Sequence, residues 1–407
     1  MDLQSASAAE AEACGTTYDV VVIGGGVMGS ATAWHLLEAE PGCSVVVIEA
    51  DPSHQGAASS AASGGVRQLF TRPENVLMSR YTHEVIDGWA GWVPPTGEVS
   101  PEEVPDLGWH ANGYLFIATP ELSGRLRADH EQQCALGVEG IWLEPEQLAE
   151  RYPLINCSDL GPAVLSTRDG WLSPSALRNG MMHRARRLSA QLIRGRAAGF
   201  EREGRRLTGV RLETGELVRG RHIVNVAGVW GTALSEQLGL RLPVEPMRRF
   251  DHYVESPMQF AGYPFIKDPG GLAVRPEGSG LTAAVVDFST PGGWDLSIDS
   301  CWFENVVWPA LVQRVPRADE LRLVSTWSGH YDQNRLDGQM ILDRWDAELD
   351  NYYIATGFSG HGLMHAPAVG RGLTELILHG RFQTLDLSRM GLSRVMAGEP
   401  YRELTVR

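Results

Sequence analysis

YDVVVIGGGVMGSATAWHLL (residues 18–37) reads as a strand, a tight turn and a helix, and the rest of the chain is read outward from it. Val20–Ile23 is an unbroken apolar run, as a strand buried on both faces requires. Gly24, Gly26 and Gly29 follow in G-x-G-x-x-G spacing, and the small residues Ser30, Ala31 and Ala33 open a helix at once. A second apolar run, residues 44–48, ends in Glu49. Gly24 permits the turn, Gly26 lets a pyrophosphate approach the backbone, and Gly29 lets helix and strand pack closely. The helix N-terminus offers free N–H groups and a positive dipole end to that phosphate. Glu49 suits the hydroxyls of an adenosine ribose, and its charge would repel a 2′-phosphate, which argues against NADP. A strand before, a helix after and an acid one strand on are the context that favours a dinucleotide site over a merely structural βαβ unit. This unit alone does not distinguish FAD from NAD.

The chain has 407 residues, more than one ordinary core accommodates, so two domains are expected. Its 43% apolar and 21% charged composition is that of a soluble globular protein. A net charge of −15 argues against nucleic acid or an anionic membrane as a general partner. Any acidic substrate therefore needs a local cationic pocket. The five cysteines (Cys14, Cys43, Cys134, Cys157, Cys301) are scattered, with no C-x-x-C. They read as reduced thiols in a cytoplasmic protein, without a zinc site or disulfide framework. No apolar stretch reaches the length of a membrane span. Residues 1–16 hold no Lys or Arg and read as a disordered tail.

SHQGAASSAASGGVRQLF (53–70) is a long run of small polar residues leading straight into Val66 and Arg67. Ser59, Ser60, Ser63, Gly64 and Gly65 are read as small because a cofactor lies against their backbone, rather than as a flexible tip. A helix is expected from Pro73 to about Trp89, and a Pro/Glu/Gly-rich crossing between domains from Val93 to Asp106. Residues 208–213 and 216–219 read as a hairpin, and 222–226 as a further buried strand. That strand ends on Ala227, Gly228 and Trp230, placing bare backbone at the carboxyl edge of the sheet, where ligands bind in open α/β folds. Residues 244–330 alternate in the β manner, with one amphipathic helix from Cys301 to Val315. Near the end, a strand at 351–356 precedes GFSGHGLMHAPAVGRGLTELILHG (357–380). Placing Pro367 in the first turn of that helix puts Gly360–Leu363 in its entry loop. A second glycine-lined helix N-terminus thus points out of the same sheet, suited to negative charge on a reduced flavin.

GGGVMGSATAWHLL, SSAASGGVRQ, VNVAGVWG and GFSGHGLMHAPAVGRG together resemble the D-amino-acid oxidase superfamily of FAD-dependent amine oxidoreductases, on its sarcosine and dimethylglycine dehydrogenase side. The resemblance runs from Tyr18 to Arg394. It implies an α/β fold, α+β over its two domains: a Rossmann-like FAD-binding domain (17–92, 164–243 and 331–407) interrupted by a mostly antiparallel β-sheet substrate domain (93–163 and 244–330). It also implies FAD, and oxidation of a C–N bond of a secondary or tertiary amine or an amino acid by hydride transfer to flavin N5, giving an imine. The electron acceptor would be O2 or a redox partner. By the same resemblance Gly24, Gly26, Val27, Met28 and Gly29 contact the pyrophosphate and Glu49 the ribose. Ser59, Ser60, Ser63, Gly64, Gly65 and Val66 lie along the ribityl chain and ring. Ala197 borders the adenosine, Ala227, Gly228 and Trp230 complete its pocket, and Gly360, His361, Gly362, Leu363 and Met364 cover the pyrimidine edge.

Departures from the family pattern carry as much information. Where sarcosine oxidases attach flavin to a cysteine, this chain has Gly329 and His330, and the flavin-linking histidine of dimethylglycine dehydrogenases is missing near SSAASGG. Non-covalent FAD is therefore expected. The oxygen-activating lysine of the family stands as Thr282, and a carboxylate-holding lysine as Met364, which argues against fast oxidase activity and sarcosine-like substrates. Arg67 is the candidate carboxylate anchor, since its guanidinium fork matches a carboxylate in two hydrogen bonds. His330 and Tyr331 are candidates to orient the amine, with Arg275 and Tyr253 behind them and Trp327 as a pocket wall. A FAD-bound assembly or chaperone-like protein with little or no turnover is the alternative to an enzyme.

Overall fold

The structure, a computed structural model, describes residues 16–91 and 106–404. The expected tail (but for Thr16) and nearly all of the expected crossing at 93–106 lie outside the described residues.

Val20–Ile23 is flanked on both sides by parallel partners, Val45–Ile48 and residues 222–225, which is why this strand carries no polar face. It is the centre of an eight-stranded sheet whose spine runs Ile341–Arg344, Tyr352–Thr356, Leu217–Asn225, Thr17–Ile23, Val45–Glu49, Gln191–Arg194. The residues expected as a hairpin arm and a separate strand form one nine-residue strand, Leu217–Asn225. Its first part pairs with Arg206–Leu212 and its second with the parallel core, so a single strand serves both. The helices Val27–Ala39 and Gly362–His379 bury one face of this sheet. Leu207, Val210, Leu234 and Trp345 help close the other.

The second sheet also has eight strands: Arg322–Asn334, Val244–Glu255, Gly280–Val285, Leu272–Glu277, Phe265–Lys267, Tyr114–Ile117, Ala163–Ser166 and Gly140–Leu143, in that order. Among the described residues of this sheet, only the pairing of Phe265–Lys267 with Tyr114–Ile117 is parallel. Side chains alternate between its faces. Leu115, Ile117, Ile266, Val274, Leu281 and Val254 pack with Phe303, Val307 and Leu311 of the helical run that includes Trp308–Arg314. The opposite face turns toward the first sheet. The domain lines drawn at 163/164 and 330/331 cut through Ala163–Ser166 and Arg322–Asn334, both strands of this second sheet.

The helix Gly362–His379 begins earlier than expected. His361 is its N-cap, Gly362 and Leu363 are helical, and Pro367 is its sixth residue, in the second turn. The hydrogen bond that Pro367 cannot donate would have gone to the Leu363 carbonyl. Close packing on the Val27–Ala39 helix, where a Cβ on Gly370 would come 2.6 Å from the Ala31 carbonyl carbon, overrides that local cost.

Candidate active site

The first turn is built as the glycine spacing requires. A Cβ on Gly29 would come 1.8 Å from the Gly24 carbonyl oxygen, so helix and strand touch there. A Cβ on Gly26, the N-cap of the helix, would meet nothing within 4 Å. That open space faces a helix N-terminus with no side-chain cap and no acid in its first turn, as Val27 and Met28 lead in. Glu49 stands beside it, accepting from Gly25 N at 2.7 Å and Asp51 N at 2.7 Å. A carboxylate so fixed keeps lone pairs for ribose hydroxyls. Gly195 N donates to Glu49 O at 2.9 Å, which brings the Ala197 segment alongside. Val226 N donates to Ile23 O at 3.0 Å, and Ala227, Gly228 and Trp230 follow at the same sheet edge.

The second glycine-lined turn joins the first through Met28, whose methyl lies 3.2 Å from the Cβ position of Gly362. The chain from His54 to Ser60 runs along the intervening space in successive turns. Ser59 Oγ is buried with no hydrogen-bond partner among the described residues, while Ser60 Oγ accepts from Arg178 at 3.3 Å. An orphaned buried hydroxyl, an uncapped helix entrance with free space before it and a ribose-height carboxylate fit a dinucleotide. Gly64 and Gly65 are crowded by Leu172 and Tyr114 while still lining the cavity between the sheets, and Val66 is fully buried in the core.

Beyond these turns lies a cavity of about 260 Å³ between the two sheets. The cofactor side contributes Ala61, Ser63, Arg67, Gly360, His361 and Met364; Leu363 also lines it. The second sheet contributes Phe116, Arg249, Asp251, Lys267, Trp327 and Tyr331. Strand register explains this set: Asp251 is opposite Trp327, Arg249 opposite Gly329, and Lys267 opposite both Phe116 and Ala273.

Arg67 is buried and held in place. It donates to the Leu69 carbonyl, reaches His361 Nε2 at 3.4 Å, and lies 3.7 Å over the Phe70 ring. Arg249 donates to the Tyr331 hydroxyl and pairs with Asp251 at 3.2 Å. Burial works against the Arg249 charge, but Asp251 and then Tyr331 outweigh it, and its pKa stays above the ordinary value. Burial raises the Tyr331 phenol, keeping it a neutral hydroxyl. Lys267 is pushed down to about 7 by burial, and further by Arg249 and Arg67. Asp332, behind Tyr331, is raised to about 6 by burial, although its carboxylate accepts from Gly357 N at 2.8 Å.

Not every candidate holds its expected place. His330 reaches the cavity wall, but alternation sets it on the opposite face from Tyr331, paired with Arg248, with its ring 5.6 Å from that of Trp294. Burial lowers its pKa. Tyr331, the other residue expected to orient an amine, faces the cavity with Arg249 bonded to its hydroxyl. Arg275 is spent on Ser63 O at 2.9 Å and on Glu277, and neither it nor Tyr253 is among the residues lining the cavity. Sequence reasoning missed Arg249, Asp251 and Lys267. The one available signal was three charged residues inside β-alternating segments, each next to one large apolar residue, Phe250 or Ile266.

The comparisons with known proteins agree with this architecture. The chain matches the family described as FAD dependent oxidoreductase (DAO) over residues 19–376. It is 31% identical over 424 residues to FAD-dependent oxidoreductase domain-containing protein 1 of Bos taurus, covering 95% of this chain and 86% of that one. It is 27% identical to the mitochondrial sarcosine dehydrogenase of Homo sapiens, covering 90% of this chain and 40% of the relative. Among solved structures, L-proline dehydrogenase from P. horikoshii superposes with a TM-score of 0.83 at 26% identity, covering 95% of this chain and 99% of the other. With the family matched along most of its length and a cofactor groove of the expected build, the chain belongs to the DAO family of FAD-dependent oxidoreductases.

Proposed function

We propose that this protein oxidises the C–N bond of an amine that carries a carboxylate, a secondary or tertiary amine or an amino acid, to the imine. The observation that carries this reading is Arg67, a buried guanidinium on the cavity wall, in a cavity whose acids Asp251, Asp268 and Glu403 are engaged by Arg249, Arg314 and the Thr71–Arg72 backbone. In a chain of net charge −15, Arg67, Arg249 and Lys267 converge on one cavity of about 260 Å³ beside the flavin groove. A guanidinium fixed by Leu69 O and His361, with the Phe70 ring at 3.7 Å and the Phe116 ring at 5.0 Å, binds a carboxylate in one orientation. When bound, FAD supplies the two-electron acceptor for the C–H bond next to the nitrogen.

The chain's own residues supply orientation and exclusion of water. Arg67 anchors the acid end. Tyr331, kept neutral and held by Arg249, presents its hydroxyl oxygen on the side where the amine lies, and helps hold that amine. Phe116, Trp327 and Met364 close the cavity with apolar surface, which leaves one face of the substrate toward the flavin groove. Gly24–Gly29 and Glu49 hold the adenine half, and His361–Met364 the other end.

The test is anaerobic mixing of the holoprotein with a panel of amines and amino acids, with and without a carboxylate. Loss of the oxidised-flavin band at about 450 nm with carboxylate-bearing amines is the expected result. Bleaching by none of them overturns the reading, and slow recolouring in air after bleaching marks a dehydrogenase rather than a fast oxidase.

A further inference from the structure

Lys267 ends the short strand Phe265–Lys267, and its register partners Phe116 and Ala273 line the cavity with it. The Arg67 guanidinium carbon is 5.0 Å from the centre of the Phe116 ring, so Arg67 and Lys267 border the same aromatic surface. Among the described residues Lys267 has no ion-pair or hydrogen-bond partner, only the Phe265 ring 5.6 Å from its ammonium. The acids around it are engaged elsewhere. Asp251 pairs with Arg249 and accepts from Ser63, and Asp268 faces Arg314 at 2.6 Å. Glu403, across the cavity, accepts from Thr71, Arg72 and Asn75. On the neighbouring strand Arg275 is paired with Glu277. The Tyr114 and Tyr331 phenols are raised by burial, and His361 contacts Arg67. Burial and two guanidiniums disfavour the Lys267 charge, and Asp251, already paired with Arg249, offsets them only in part. An anion seated at Arg67 would restore it.

We propose that Lys267 is a second cationic contact for the substrate's carboxylate, and that it takes a proton from solvent as that carboxylate binds. This rests on the carboxylate reading of the same cavity and sharpens it: the preferred substrates are amino acids, and simple amines lack the group that charges the site. No covalent step is involved; the neutral amine of Lys267 gains one proton and an ion pair forms. The device sets specificity as well as affinity, because a neutral ligand gains nothing from a lysine that stays uncharged.

The experiment titrates the holoprotein with acetate and benzoate, read by the change in the flavin visible spectrum, between pH 6 and 9. In the wild type, affinity falls by up to about tenfold per pH unit above pH 7, and calorimetry in two buffers of different ionisation enthalpy shows uptake approaching one proton per ligand at pH 8. Lys267→Met binds more weakly near neutral pH and without that slope. Lys267→Arg restores tight binding at high pH yet also loses the slope, since a guanidinium stays charged throughout. A flat wild-type profile, no proton uptake, or a slope retained in Lys267→Met each overturns the proposal. If both carboxylates bind, and Arg67→Met abolishes that binding while Lys267 variants do not change it, only this inference fails. If neither binds at any pH, the carboxylate reading fails with it.

Discussion

The Ser63 hydroxyl donates to Asp251 Oδ1 across 3.1 Å, and the two residues are 188 positions apart. The bond ties the loop beside the flavin groove to the sheet that carries the cavity's charges. The other carboxylate oxygen holds Arg249, so one acid fixes both the distance between the layers and the charge balance behind Tyr331. Asp251→Asn is expected to cost about 3 kcal/mol, because it leaves a buried guanidinium without a counter-charge. Ser63→Ala should cost about 1 kcal/mol. Urea unfolding of the two single variants and the double variant checks this, and fully additive losses would show that the two residues do not interact.

Gly26 and Gly29 separate cofactor binding from folding. Gly29→Ala forces a methyl onto the Gly24 carbonyl, so the apoprotein should melt at lower temperature, with a loss of about 2–3 kcal/mol. Gly26→Ala fills space that is open in the protein alone. Its apoprotein should melt within about 1 kcal/mol of wild type. Its FAD affinity should fall at least tenfold, by fluorescence titration. Equal FAD affinity in Gly26→Ala would remove the pyrophosphate from that position.

Arg67→Met should lower kcat/KM for carboxylate-bearing amines by about 10²–10³, the value of about 3–4 kcal/mol for a lost bidentate charged contact. For carboxylate-free analogues the loss should stay below about tenfold. Parallel losses on both substrate classes would assign Arg67 a structural role.

Asp332 gives stability an unusual slope. Its folded pKa, about 6, lies above the ordinary carboxylate value of 3.8, so between those values the folded state holds more protons. Its contribution is therefore fully present below pH 3.8 and is lost as pH rises to about 6. Asp332→Asn should remove this slope, shifting the wild-type-minus-variant difference by about 2–3 kcal/mol between pH 4 and pH 7. Denaturant unfolding of both proteins at several pH values measures it; an unchanged difference contradicts the burial-raised pKa.

At Gly329 a Cβ would come 2.5 Å from the Ala61 methyl, which leaves no space for a flavin-bonding cysteine at this position. Acid precipitation should release all yellow colour into the supernatant. Colour remaining in the pellet would demonstrate a covalent link.

The cofactor half was legible because its requirements are local. Gly24, Gly26, Gly29 and Glu49 sit in one strand–turn–helix–strand unit, and each spacing has a single geometric reason. The substrate half was not, because its requirements are set between segments. In Met247–Arg248–Arg249–Phe250, alternation says that the two arginines face opposite ways but not which faces the cavity; the pairing with Gly329 and His330 decides it. The same uncertainty misplaced His330 beside Tyr331, although adjacent strand residues cannot share a face. Lys267 looks like an ordinary charged residue before a turn, and becomes notable only when Phe116, Arg67 and Arg249 surround it. Pro367 was placed by a local rule that helix packing overrode.

Glu403 has a consequence for how the protein is made. Its carboxylate holds Thr71 N at 2.7 Å and Arg72 N at 2.9 Å, just beyond Arg67, and it borders the cavity itself. Thr71 and Glu403 are 332 residues apart. At about 5–20 residues per second, the ribosome takes roughly 15–70 s to cover that interval. During that time a nascent chain can already form its nucleotide turn while the substrate end lacks its clasp. The nucleotide turn can form early in synthesis, whereas the clasp on Thr71 and Arg72 has to await residue 403.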